Sequence, residues 1–218
     1  MRAASGGKVR IALISDIHGD LAGLNAALAQ IDRLGGADAI YALGDMIGVG
    51  PEAGAVLDRL VGRGVQMLRG NWEDLILDLP AHIHRVSDPL RAYPAVAEAR
   101  ADLSGMHFAL LRSLPFEIVL EPSPGHRVLL CHAAPGNSWS PTCRPDVPLE
   151  TLRAVYGGAD ADVIVYGHNH AHHVIALDGK LLVNVASVGM RHDGFSALTL
   201  LGFDGGWRVQ QLLASCAR

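Results

Sequence analysis

Cysteine is scarce. The 218 residues hold three, Cys131, Cys143 and Cys216. An odd number with no CxxC spacing argues against a disulfide framework and fits a reducing, cytoplasmic compartment. The first residues, "MRAASGGK", lack the apolar core of a signal peptide. No apolar run reaches spanning length, so no transmembrane helix is expected. Basic runs are missing as well. With 18 Lys+Arg against 22 Asp+Glu the net charge is −4, which disfavours nonspecific binding to a nucleic-acid backbone but leaves a small nucleotide open. Internal repeats, low-complexity tracts, linkers and coiled-coil heptads are absent. The chain therefore reads as one domain over 1–218, with 1–8 as a flexible lead, and its oligomeric state is not legible. Charged residues make up 18% and hydrophobic ones 50%, a balance that excludes disorder and supports a sizeable core.

Histidine, by contrast, is plentiful: 11 residues, with His168, His170, His172 and His173 close together. Such clusters point to metal binding or acid–base chemistry. His172 and His173 themselves read as solvated strand or loop residues.

The apolar runs predict the architecture. "VRIALIS" (9–15) is a buried, β-branched strand. Leu21, Leu24, Leu28 and Ile31 recur at helical spacing before a Gly-Gly stop. "ADAIYALGD" is a second strand. A helix follows with Pro51 near its first position, and "VQMLRGN" is a third strand. This β-α-β-α-β order implies a parallel sheet. Residues 72–114 read as a mainly helical insertion or cap, punctuated by Pro80, Pro89 and Pro94. The remainder is β-rich: 116–132, 172–187 and 195–213 each hold two apolar runs around a Gly-containing turn, and "LETLRAVYGG" is a helix.

Polar residues gather where the runs end. Asp16 and His18 follow strand one, Asp45 strand two and Asn71 strand three. His132 follows "RVLLC", and His168 and His170 follow "VIVY". Ligand sites in open α/β sheets lie beyond the carboxyl ends of strands. Asp16/His18 and His168/His170 are i, i+2 pairs, which point to the same side if the backbone is extended. Carboxylates and imidazoles suit Mn, Fe, Zn or Ni. Seven ligands exceed one tetrahedral ion and suit two ions sharing a carboxylate. Asn71 also reads as a helix N-cap, with Asp74 three residues on.

The series "SDIHGD…LGD…RGN…CH…GHNH" resembles the calcineurin-like metallophosphoesterases, from about Val9 to about Leu201. "LGDMIGVGPEAGAVLDRL" and "VNVASVGMRHDG" resemble the small prokaryotic branch near diadenosine tetraphosphatases and phosphodiesterases. The resemblance implies a four-layer α/β/β/α sandwich with two mixed sheets. It implies that Asp16, His18 and His170 hold one metal, that Asp45 bridges, and that Asn71, His132 and His168 complete the second. Asp45 and Asn71 would then serve catalysis, Asn71 by orienting phosphate. The implied enzyme hydrolyses a small phosphorylated substrate, a phosphodiester or nucleotide type favoured, through a metal-bridging hydroxide attacking phosphorus in line. Trp72 departs from the family, which carries His there. Indole cannot exchange a proton near pH 7, and loss of a general acid costs about 10²–10⁴ in rate. A good leaving group, a substitute such as His82 or His84, or stacking of Trp72 on an aromatic ring are the alternatives, and Trp72 reads equally as a plain packing residue at a helix start. Arg191 is a second substrate-binding candidate, on phosphate. Asp20 is read either as orienting His18 or as a carboxylate at a helix start. The rival functions are a metal-bound nucleotide sensor and a protein-binding scaffold, as the retromer scaffold subunit uses this fold.

Overall fold

The computed structural model describes residues 8–142, 144–191 and 193–216. Cys143 and the lead segment before Lys8 lie outside the described residues. The elements run β1 (Val9–Ile14), α1 (Leu21–Arg33), β2 (Ala39–Ala42), α2 (Ala53–Gly62), β3 (Gln66–Met67), α3 (Asn71–Leu77), α4 (Leu79–His82), a 3-10 turn (Ile83–Arg85), α5 (Pro89–Asp102) and α6 (Gly105–Ser113). The second half holds β4 (Glu117–Ser123), β5 (His126–Cys131), α7 (Leu149–Tyr156), β6 (Val163–Tyr166), β7 (His172–Leu177), β8 (Lys180–Val185), β9 (Phe195–Phe203) and β10 (Trp207–Ser215).

Two five-stranded sheets result, ordered β10-β9-β1-β2-β3 and β4-β5-β6-β8-β7. Both are mixed. β1, β2 and β3 run parallel, with β9 antiparallel to β1. β5, β6 and β8 run parallel, flanked by antiparallel β4 and β7. The period-2 alternation of the strands sorts their side chains into layers. Ile11 and Leu13 of β1 join Tyr41, Leu130, Val163, Val165 and Val183 in the core between the sheets. Ala12 and Ile14 face the other way, onto Leu24 and Leu28 of α1 and Leu57 and Leu60 of α2. On the far side, Ile164 and Tyr166 of β6 pack on Leu152 and Tyr156 of α7. The sandwich is therefore helix, sheet, sheet, helix. Among the described residues no helix is long and apolar enough to cross a membrane.

Three details differ from the sequence reading. Pro51 precedes α2, whose N-cap is Glu52. Pro94 lies inside α5 rather than ending it; its exposed position lets the helix absorb one missing N–H bond. Asn71 is the first residue of α3, and Gly70, extended at φ −100° and ψ −174°, is the N-cap. The residue three on from that cap is Glu73, which accepts the Gly70 N–H at 2.7 Å.

Candidate metal centre

The parallel strands of both sheets finish at one rim. Backbone bonds lace the loops there. Asp16 N–H donates to Gly44 O (3.1 Å), His18 N–H to Asp45 O (3.0 Å), Gly167 N–H to His132 O (2.8 Å) and Gly189 N–H to Asp16 O (3.0 Å). The Ser187 hydroxyl adds a 2.7 Å bond to Asp16 O. Gly44 fits because it has no side chain: a Cβ there would lie 2.7 Å from Gly70 Cα and from His132 Nδ1.

The i, i+2 pairs do converge, but not through extended backbone. Asp16 (φ 54°), His18 (51°), Asp45 (51°), His168 (68°) and His170 (62°) all occupy the left-handed region. Non-glycine residues adopt it rarely, and clusters of such strain mark sites held by their surroundings.

The structure brings all seven ligand candidates together, in two groups. In one, Asp16 Oδ1 lies 3.2 Å from His170 Nε2 and 3.8 Å from His18 Nε2, with the two imidazole nitrogens 3.3 Å apart. In the other, Asn71 Oδ1 sits 2.9 Å from both His132 Nε2 and His168 Nδ1. Asp45 Oδ2 lies 3.4 Å from His132 Nε2 and 3.9 Å from His18 Nε2, so it faces both groups. Its Oδ1 accepts the Trp72 N–H at 2.8 Å. His132 donates its Nδ1–H to Leu43 O at 2.7 Å, which turns Nε2 inward, towards Asp45 and Asn71.

The electrostatics are those of carboxylates buried among imidazoles. Burial works to raise the pKa of Asp16, but His170, His132 and His18 hold it well below the usual carboxylate range. Burial also opposes charge on His132, yet Asp45 and Asp16 push it up to about 10. Burial, then the neighbouring His132 charge, lowers His168 to about 4. Protonation and a cation are alternative ways to neutralise such a pair of carboxylates. The donor set fits a cation. Asp16, His18 and His170, and Asp45, His132 and His168, each place three ligand atoms within 4.8 Å of one another. The Asp16 Oδ1 atom is buried without a hydrogen bond, a state that a cation resolves.

Glu73 had no role in the sequence reading. It is fully buried and accepts N–H bonds from Asp45 and Met46, each at 2.9 Å, as well as from Gly70. It thereby pins the loop that carries Asp45. Burial, then the Asp45 charge, raises its pKa to about 7. Asp74 serves elsewhere, pairing with Arg69 at 2.6 Å and accepting the Trp139 indole N–H at 2.9 Å.

Beside the two groups of candidate ligands lies a cleft of about 500 Å³ whose wall includes Trp72, Arg85, Arg91, Trp139 and Met190. The Trp72 ring meets His18 edge-on, with centroids 5.8 Å apart, and lies against Gly48, where a Cβ would sit 2.7 Å from it. His82 stacks on Trp139 instead of entering the cleft, and His84 is exposed. Arg191 pairs with Asp193 and is not among the residues lining the cleft; its charge, after burial, lowers the pKa of His172. Asp20 is the N-cap of α1, accepting Gly23 N–H at 2.8 Å. His172 and His173 are half-buried in β7 rather than solvated, and His173 Nε2 meets the Tyr166 hydroxyl at 3.0 Å.

A family model of the calcineurin-like phosphoesterase superfamily domain matches residues 9–204. An uncharacterized protein of Methanocaldococcus jannaschii is 28% identical over 216 residues, covering 90% of this chain and 83% of that one. A symmetrical bis(5′-nucleosyl)-tetraphosphatase of Yersinia enterocolitica is 31% identical over 129 residues, 58% of this chain; the match spans 42% of that enzyme's length. A solved structure of a hypothetical protein from Pyrococcus horikoshii OT3 superposes with a TM-score of 0.83 at 19% identity, covering 96% of this chain and 89% of that one.

Proposed function

The chain belongs to the calcineurin-like phosphoesterase superfamily, and from that premise we propose that it is a dinuclear metal-dependent hydrolase of phosphate esters, favouring phosphodiesters or nucleotide-type substrates. The observation that carries this reading is the pair of three-ligand groups at one rim. Asp16, His18 and His170 would hold one divalent ion. His132, His168 and Asn71 would hold the other, and Asp45 would serve both. Mn, Fe, Zn and Ni all suit these ligands. When bound, such ions supply an activated water and positive charge opposite the phosphoryl oxygens.

The chain's own residues do the rest. With its oxygen turned to His132 and His168, Asn71 keeps an amide N–H to orient the phosphate. Helices α3 to α6 act as a cap over the cleft. Apart from the proposed ligands, its wall carries no His, Lys, Tyr or Cys among the described residues. The leaving group therefore departs with little protonation from the protein, which favours acidic leaving groups such as nucleotide phosphates. The tetraphosphatase relatives support the same choice.

The test is hydrolysis of bis(p-nitrophenyl) phosphate by chelator-stripped protein, with and without Mn²⁺. Its leaving group needs no acid, so Mn²⁺-dependent turnover is expected. Trp72 favours a second reading, a nucleotide sensor or scaffold without turnover. Two bound metals, quenching of tryptophan fluorescence by nucleotide and no product would establish that instead.

A further inference from the structure

The cleft extends past the metal groups to a wall formed by the 3-10 turn and the start of α5. Two guanidinium groups line that wall, Arg85 and Arg91. Elsewhere some arginines sit with carboxylates, such as Arg63 with Asp32, Arg69 with Asp74 and Arg153 with Asp178, and others bond neutral oxygens, such as Arg10 with Leu34 O, Arg59 with Asn25 and Arg100 with Ile76 O. Arg85 and Arg91 make no ion pair among the described residues. Asp88 lines the same wall, and its Oδ1 caps α5 by accepting the Arg91 backbone N–H at 3.2 Å.

Arg85 is also positioned in advance. Its guanidinium lies over the Trp139 ring, 4.8 Å from the centroid. Trp139 is fixed by its bond to Asp74 Oδ2 at 2.9 Å and by the stacked His82 ring. Asp74 belongs to α3, the helix that begins with Asn71. A chain of contacts thus ties Arg85 to the helix that carries a ligand candidate. The only hydrogen bond of its side chain among the described residues is a long one, 3.4 Å to Asn137 Oδ1, so its donors are largely available.

We infer that Arg85 and Arg91 form a second anion subsite, which binds a phosphate other than the one hydrolysed. The inference rests on the phosphoesterase reading and narrows it to substrates that carry at least two phosphates. A cleft of about 500 Å³ is in the range that holds a whole small-molecule ligand, and guanidinium forks suit phosphate oxygens.

The test compares AMP and ADP as inhibitors of bis(p-nitrophenyl) phosphate hydrolysis, at fixed free Mn²⁺. The readout is the ratio of the two inhibition constants within each variant, so a general change in turnover cancels. The wild type is expected to prefer ADP by roughly tenfold or more, the effect of one charge-assisted bond. In the double variant Arg85→Gln/Arg91→Gln the ratio falls towards one, and Arg85→Lys keeps part of the preference. A ratio that is the same in the wild type and the double variant overturns the subsite. If the wild type binds Mn²⁺ but hydrolyses nothing, the phosphoesterase reading fails by itself. The same ratio is then read from tryptophan fluorescence, and its loss or persistence in the double variant still decides the subsite.

Discussion

The rim of strand ends and the helical wall face one cleft, yet they are built by opposite means. At the rim the ligand candidates come from short side chains whose backbone is laced loop to loop and, at five positions, strained into the left-handed region. The wall carries its polar groups on long arginine side chains exposed to solvent. Its outer side leaves Leu90 88% and Met106 84% exposed. The difference teaches a division of labour. Atoms that must be held to a fraction of an ångström are attached to backbone, while atoms that meet a variable substrate hang on flexible stems.

The largest effect should come from the carboxylate shared by both halves of the rim. Asp45→Asn removes the charge that faces His132 and His18. Metal affinity is expected to fall by more than the roughly 10–100-fold typical of losing an outer partner, and turnover with it. Metal analysis of the folded variant checks this; full turnover would remove the distinction between rim and wall.

Next comes Glu73→Gln. Its amide leaves at least one buried N–H of the Asp45 loop without an acceptor, which costs about 1–3 kcal/mol in urea unfolding. The pH dependence gives a second reading. Glu73 has a folded pKa of about 7 against an ordinary 4.5. Its contribution to stability is thus full below 4.5 and is lost as pH rises through 7. In the metal-free protein the wild type should lose stability across that window, and Glu73→Gln should not share that loss. Parallel curves would show that Glu73 does not titrate there.

The smallest effect belongs to the wall. Trp139→Phe keeps a ring under Arg85 but removes the bond to Asp74. A loss of about 0.5–1.5 kcal/mol is expected, with metal affinity unchanged. A drop in metal affinity would show that wall and rim are one unit.

The rim was legible in sequence because its residue types are rare in such an order and each stands where an apolar run stops. Both sheets were legible for a related reason: the three hairpins and the parallel half announce themselves by period and turn chemistry. What was hidden depends on three-dimensional closure. Asn71 and Gly70 are both good caps, and the backbone angle of the chain leaving β3 decides between them. Left-handed angles at Asp16 and His168 are only weakly signalled by residue type, since Asp and His adopt them more often than most side chains. Arg85, Arg91 and Trp139 look like ordinary surface and packing residues until the fold brings the loop after β5 against the 3-10 turn. The pairing of Arg191 with Asp193, two residues on, was likewise not drawn from the sequence.

The rim has one more property. Asp16, His18, Asp45 and Asn71 follow strands of one sheet, whereas His132, His168 and His170 follow strands of the other. Under the proposed assignment an ion would be a rivet between the sheets, and its binding energy would count as folding energy. Each tenfold rise in free ion above its dissociation constant would then add about 1.4 kcal/mol to the stability of the sandwich. The melting temperature becomes an occupancy gauge, readable with no substrate at all.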